Sequence, residues 1–182
     1  MGDKQTHRST TFTPEAQLFA QPYNREAHGF FFTDYEDYLT KQAACKDGFG
    51  NPIEEFEITY LGNNDLTHAL FEALQISQAT LKAFIEIAID YDDHEKLQVI
   101  IAVGELGFAF DMNKDNPNDL DVDIYRDITM VELAEQFVNE GLFGEIPEAI
   151  SYYIDFDKIA RDMEHDYAAT EVAGEQIIYR AI

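Results

Sequence analysis

A chain of 182 residues with 46% apolar and 13% aromatic side chains can bury a core, as one average domain or as two to three small ones. Its 36 acidic against 12 basic residues leave a formal charge of −24, which repels nucleic acid and anionic membranes and suits a basic surface, a cation or high salt. The single cysteine, Cys45, excludes an internal disulfide and fits a reducing cytosol; no apolar run approaches about 18 residues, and no charged-then-apolar start predicts a signal peptide.

Residues 1–13, rich in Ser and Thr, read as a mobile leader, and structure is expected from Pro14. Residues 17–22 and 26–32 read as two strands separated by Tyr23-Asn-Arg. Thr33 with Glu36 predicts a capping box for a helix running to about Lys46, with Cys45 inside it. Phe49-Gly-Asn-Pro52 is turn chemistry, and residues 55–61 alternate polar with apolar as a half-buried strand does. After Gly62-Asn-Asn64 the period changes from two to 3.6. Leu66, Ala69, Leu70, Ala73 and Leu74 share one helical face, Ser77 is the expected N-cap of a helix through Leu81, Phe84, Ile85 and Ile89, and residues 92–95 start a third, to about Glu105. The run Val99-Ile-Ile-Ala-Val103 also suits a buried strand on composition.

A polar loop over 111–119 precedes an alternating strand at 120–125. Met130, Leu133, Ala134, Phe137 and Val138 predict an amphipathic helix that Gly141 ends; Pro147 opens the next helical stretch, with Ile154, Phe156, Ile159, Ala160 and Met163 on its apolar face. Thr170–Val172 and Gln176–Ala181 form a terminal hairpin across Ala173-Gly174. The expected fold class is α+β: an elongated chain of three small domains, an N-terminal α+β domain at 14–62, a central helical bundle at 63–106 and a C-terminal α+β domain at 107–182.

The charge lies on these elements rather than in a tail. Residues 1–46 carry −1, residues 47–125 carry −14 and residues 126–182 carry −9. Strand neighbours such as Glu55/Glu57 place carboxylates about 6.6 Å apart, and helix neighbours such as Glu86/Asp90 about 6 Å. Such a row is comparable in pitch to a phosphate ladder, and could occupy a DNA-binding groove while offering it no bases. Equally, acidic outer faces keep a protein soluble; charge alone does not decide.

Sites for chemistry are sparse. Asp111-Met-Asn-Lys-Asp115 has the spacing of a calcium loop, but its sixth position is Asn116 instead of Gly and its twelfth is Val122 instead of Glu. The five histidines lack zinc spacing, and neither Gly48-Phe-Gly50 nor Gly104-Glu-Leu-Gly107 makes a phosphate loop. Paired carboxylates are too numerous to single out a glycosidase pair. Phe30-Phe-Phe32 and Tyr152-Tyr153 are expected to pack in a core or a dimer contact. No catalytic residue, metal or cofactor is expected.

The run Glu135-Gln-Phe-Val-Asn-Glu-Gly-Leu-Phe-Gly-Glu-Ile-Pro-Glu148, followed by Tyr153-Ile-Asp-Phe-Asp-Lys-Ile-Ala-Arg-Asp162, resembles the C-terminal signature of the ArdA antirestriction proteins, with Phe156 where Tyr is common. Phe32–Tyr38 and Pro52–Ile58 resemble that family's N-terminal domain, so the similarity spans roughly Pro14 to Ile182. The resemblance implies a non-enzymatic DNA mimic carried by mobile elements: a cytoplasmic homodimer that occupies the DNA groove of type I restriction-modification enzymes and blocks restriction and modification, binding neither nucleic acid nor membrane. The acids expected to carry that surface are Glu54, Glu55, Glu57, Glu72, Glu86, Asp90, Asp92, Asp93, Asp121, Asp123, Glu132 and Glu135. The segment Glu140, Gly141, Leu142, Phe143, Gly144, Glu145, Ile146 and Pro147 falls near the family's antirestriction motif, implied to serve assembly and dimer contacts. The competing reading is a general acidic interaction module or chaperone for basic DNA-binding proteins.

Overall fold

A computed structural model describes residues 17–182; the leader expected at 1–13 lies outside them. The described residues form a mixed α+β structure with seven α-helices and two three-stranded antiparallel sheets. They fall into two compact units, one ending at Asn118 and the other running Asp119–Ile182. The first contains both the N-terminal sheet and the helices expected of the central bundle.

In the first unit β1 (Leu18–Pro22) lies between β2 (Phe30–Phe32) and β3 (Phe56–Tyr60), with Leu18 opposite both Phe32 and Tyr60. Alternation works as expected in β3, where Phe56, Ile58 and Tyr60 are buried and Glu57 and Thr59 exposed. β2 is shorter than the expected 26–32 because Asn24 holds a turn, its Oδ1 accepting from Glu26 N–H at 2.9 Å and its carbonyl from Ala27 N–H at 3.2 Å. Gly29 is required just before β2: a Cβ there would collide with the Phe19 ring and lie 2.7 Å from the Ala20 oxygen.

Helix α1 (Tyr35–Ala44) is capped by Asp34, not by Thr33: the Asp34 carboxylate accepts from Asp37 N–H at 2.8 Å, a charge-assisted bond at the positive end of the helix. The helix stops two residues early, and Cys45 is its extended C-cap, not an interior residue, with Sγ 3.8 Å from the His28 carbonyl. The rings of Phe30, Phe32 and Phe56 surround Tyr38, whose centroid lies 5.0 Å from that of Phe32. Burial pushes the Tyr38 phenol up to about 12, and burial with neighbouring Asp123 does the same to Tyr125 in the second unit. The folded state therefore favours the neutral phenols. Their contribution to stability is complete below the ordinary value of about 10 and is lost as pH rises from there toward about 12. An ultraviolet titration of the ten tyrosines should accordingly show a late class near pH 12, preceded by weakening stability; a single class at about 10 would contradict this environment.

Helix α2 (Asp65–Ala73) starts at Asn64, whose Oδ1 accepts from Thr67 N–H at 2.7 Å, and buries Thr67, Leu70 and Phe71. The expected face was thus rotated: Leu66, Ala69, Ala73 and Leu74 are half-buried, and the larger Phe71 takes the core, its ring 5.3 Å edge-on from Phe84. Helix α3 (Leu81–Asp90) begins at Thr80 instead of Ser77, because Ser77 and Thr80 close a turn of their own, Ser77 N–H donating to Thr80 Oγ1 at 3.0 Å. Asp92 and Glu95 form a reciprocal capping box on α4 (Asp93–Val99), which continues as a π-helical turn over Ile100–Glu105, so the apolar run is helical and not a strand.

In the second unit β6 (Glu175–Ala181) lies between β4 (Val122–Arg126) and β5 (Ala168–Val172). β5 and β6 join across Ala173 and Gly174, both at positive φ (53° and 82°), the paired left-handed turn that matches strand twist. Helices α5 (Met130–Asn139) and α7 (Phe156–Met163) cover the sheet. Leu133, Ala134, Phe137, Ala160, Met163, Tyr167 and Ile178 form the core, flanked by Tyr125, Ile128, Met130 and Ile159. Between them the link contains one further turn, α6 (Glu148–Ser151), entered at Pro147.

Candidate functional site

Of the twelve acids expected to matter, eleven are exposed. Glu54, Glu55 and Glu57 project from β3 and the residues before it, and Glu72 from α2. They border two shallow depressions that share Tyr23, a ring 66% exposed: one lined by Tyr23, Asn24, Glu54 and Glu55, the other by Tyr23, Glu57, Phe71 and Glu72. The structure therefore brings four of the acids to one face of the first unit. Glu72 lies 3.7 Å from His68 and Glu86 3.9 Å from Lys82, both loose exposed pairs.

Asp90, Asp92 and Asp93 cluster where α3 gives way to α4. Asp92 and Asp93 sit at the start of α4, where negative charge is favoured; Asp90 ends α3, whose last turn has no basic residue, where it is disfavoured.

In the second unit Asp121 is exposed, but Asp123 is not part of an open surface. It is half-buried on β4 and accepts from Arg180 Nε at 2.7 Å, with the guanidinium 4.8 Å over the Tyr167 ring. Two adjacent strands meet there, and the sheet neutralises its own charge. Glu132 remains exposed, yet its carboxylate completes the capping box of α5 by accepting from Thr129 N–H at 2.8 Å, which holds it below the usual carboxylate range. Its charge faces outward while its oxygen is engaged.

Residues 140–147 close α5. Gly141 N–H donates to the Val138 carbonyl at 3.1 Å and Leu142 N–H to the Phe137 carbonyl at 3.0 Å, a Schellman cap that needs the left-handed conformation of Gly141 (φ 79°). Gly144 (φ 89°) turns the chain again, and Glu140, Glu145 and Ile146 then line a groove of about 600 Å³ with Glu135 and Val138 of α5 and Tyr152. Tyr152 and Tyr153, expected in a core or contact, are 90% and 85% exposed and belong to no core; Leu142 and Phe143 are exposed beside them.

A family model for the antirestriction protein ArdA matches residues 9–175. The chain belongs to the ArdA antirestriction family. The match covers nearly the whole chain, beginning five residues before the expected Pro14 and ending seven before Ile182. No curated protein sequence matches it. Among the described residues no group of three or more His, Cys, Asp or Glu side chains is placed to hold a metal ion, and no helix is long and apolar enough to cross a membrane. Asp111 and Asp115, weighed as calcium ligands, serve the loop itself, Asp115 Oδ2 accepting from Asp111 N–H at 2.7 Å. Sequence reading passed over Tyr23 and Gln75, which border the acidic face of the ArdA chain; nothing in their local pattern marks them, because the depressions are lined by residues far apart in sequence, the second by residues of both β3 and α2.

Proposed function

We propose that this ArdA-family chain acts as a DNA mimic, its exposed carboxylates occupying the DNA-binding groove of type I restriction-modification enzymes and so blocking both restriction and modification. The observation that supports this is the placement of the acids: Glu54, Glu55, Glu57, Glu72, Glu86, Asp90, Asp92, Asp93, Asp121, Glu132 and Glu135 are exposed on helices and strands or on the residues that flank them, with 12 cations in the chain against 36 anions. Carboxylates fixed on a backbone present a field of defined pattern, whereas a charged tail presents only an average. The protein works without catalysis, in the cytoplasm where its target meets DNA, and as a homodimer joined through the region of residues 140–147.

Binding to a purified type I enzyme should be displaced by duplex DNA and should weaken at least about tenfold between about 50 and about 200 mM salt, because ions released from a basic groove drive association. Affinity indifferent to salt, or binding alongside DNA, would overturn the reading.

A further inference from the structure

β3 is the edge strand of the first sheet, and its outer edge borders the depression between Tyr23 and α2. Tyr23 N–H donates to the Glu55 carbonyl at 3.3 Å and Leu61 N–H to the Gln17 carbonyl at 2.7 Å, so residues 55, 57, 59 and 61 turn their main-chain groups toward β1. Strand alternation directs those of Glu54, Phe56, Ile58 and Tyr60 outward. One end of this outward row is already occupied in strand fashion by a side chain. Gln78 Oε1 accepts from Phe56 N–H at 3.0 Å while Gln78 Nε2 donates to the Glu54 carbonyl at 2.8 Å, the acceptor and donor that one residue of a neighbouring strand would present. Beyond Gln78, the Phe56 carbonyl and the Ile58 N–H have no hydrogen-bond partner among the described residues. Ile58 lines a groove of about 390 Å³, walled opposite by Phe71 and Glu72 of α2 and by Gln75, which is held in the left-handed conformation (φ 49°).

We propose that this edge is a docking groove for a short extended segment, bearing arginine or lysine, of a protein partner. Unpaired strand edges recruit extended chains through their main-chain groups, and pockets along the edge select alternate side chains. Glu57 and Glu72 on opposite sides of the groove, with Glu54 and Glu55 at its Tyr23 end, match cationic side chains and repel acidic ones. Tyr23 supplies an exposed ring face on which a guanidinium stacks. The groove shares carboxylates with the mimic surface but stands without that reading, since mimicry needs only carboxylates in the right arrangement whereas docking here needs main-chain pairing.

The test uses the full chain, isotope-labelled, with a short synthetic peptide alternating arginine and threonine. A second copy of the peptide is N-methylated on one edge, which keeps its charge and removes its donors. The unmodified peptide is expected to slow hydrogen exchange at Ile58 and to bind about tenfold or more tighter than the methylated one. Equal affinities, or unchanged exchange at Ile58, would overturn the proposal while leaving the competition with duplex DNA to be judged by its own experiment.

Discussion

Replacing Glu54, Glu55, Glu57 and Glu72 together by glutamine is expected to weaken binding to a type I enzyme roughly tenfold to a hundredfold. Each exposed carboxylate contributes a small share of the field, so any one change costs little and the four act together. Their common face in the first unit is what makes the combination informative. A matched variant that neutralises Asp162, Glu164, Asp166 and Glu171, also exposed, removes the same charge from outside the expected surface. Inhibition assays on both should show a loss several times larger for the first; equal losses would mean that net charge, and not its arrangement, drives binding.

Phe84→Ala is expected to have the largest effect on stability, about 3–5 kcal/mol by urea unfolding. Phe84 is fully buried in α3, and its ring meets Phe71 edge-on, while Phe71 in turn lies 6.1 Å from Tyr60 of the sheet. Its removal leaves a cavity between helices and strand that short neighbours cannot collapse to fill. Since a domain's whole stability is typically about 5–15 kcal/mol, the first unit should lose much of its margin. Phe49→Ala, at a ring 86% exposed in a turn, should be close to neutral. A loss below about 1 kcal/mol at Phe84 would show that the aromatic chain is not the core of this unit.

What could be read from the chain beforehand was what depends on neighbours in sequence. Alternation located β3 and β4, the 92–95 run located the start of α4, the apolar spacing of Met130, Leu133, Ala134, Phe137 and Val138 located α5, and Ala173-Gly174 located the hairpin. The family resemblance rests on residues 135–162 together with Phe32–Tyr38 and Pro52–Ile58, and the family model matches residues 9–175. Errors arose where two residues competed for one role or where the answer lay across the fold. Thr33 and Asp34 are both capping residues, and the charged acceptor won; Ser77 and Thr80 bonded each other first. Apolar spacing predicted a helical face for α2 but not that Phe71, as the bulkiest side chain, would rotate it.

The acidic surface was legible in composition but not in detail. Nothing local distinguishes Asp123 from Asp121, yet strand pairing places Arg180 directly opposite Asp123 and removes it from the exposed set. Equally, no local pattern links Gln78 to Glu54, 24 residues earlier, although that contact decides which part of the β3 edge stays open.

Asp90 carries a consequence for how such a chain drifts. It ends a helix without any basic residue in the last turn, where a lysine would suit the field better. At that position the helix field by itself favours a cation, whereas at Asp92 and Asp93, which open α4, the same field favours the carboxylates. Substitutions drifting under that field alone would therefore be pulled in opposite directions at two helix ends that adjoin in the chain.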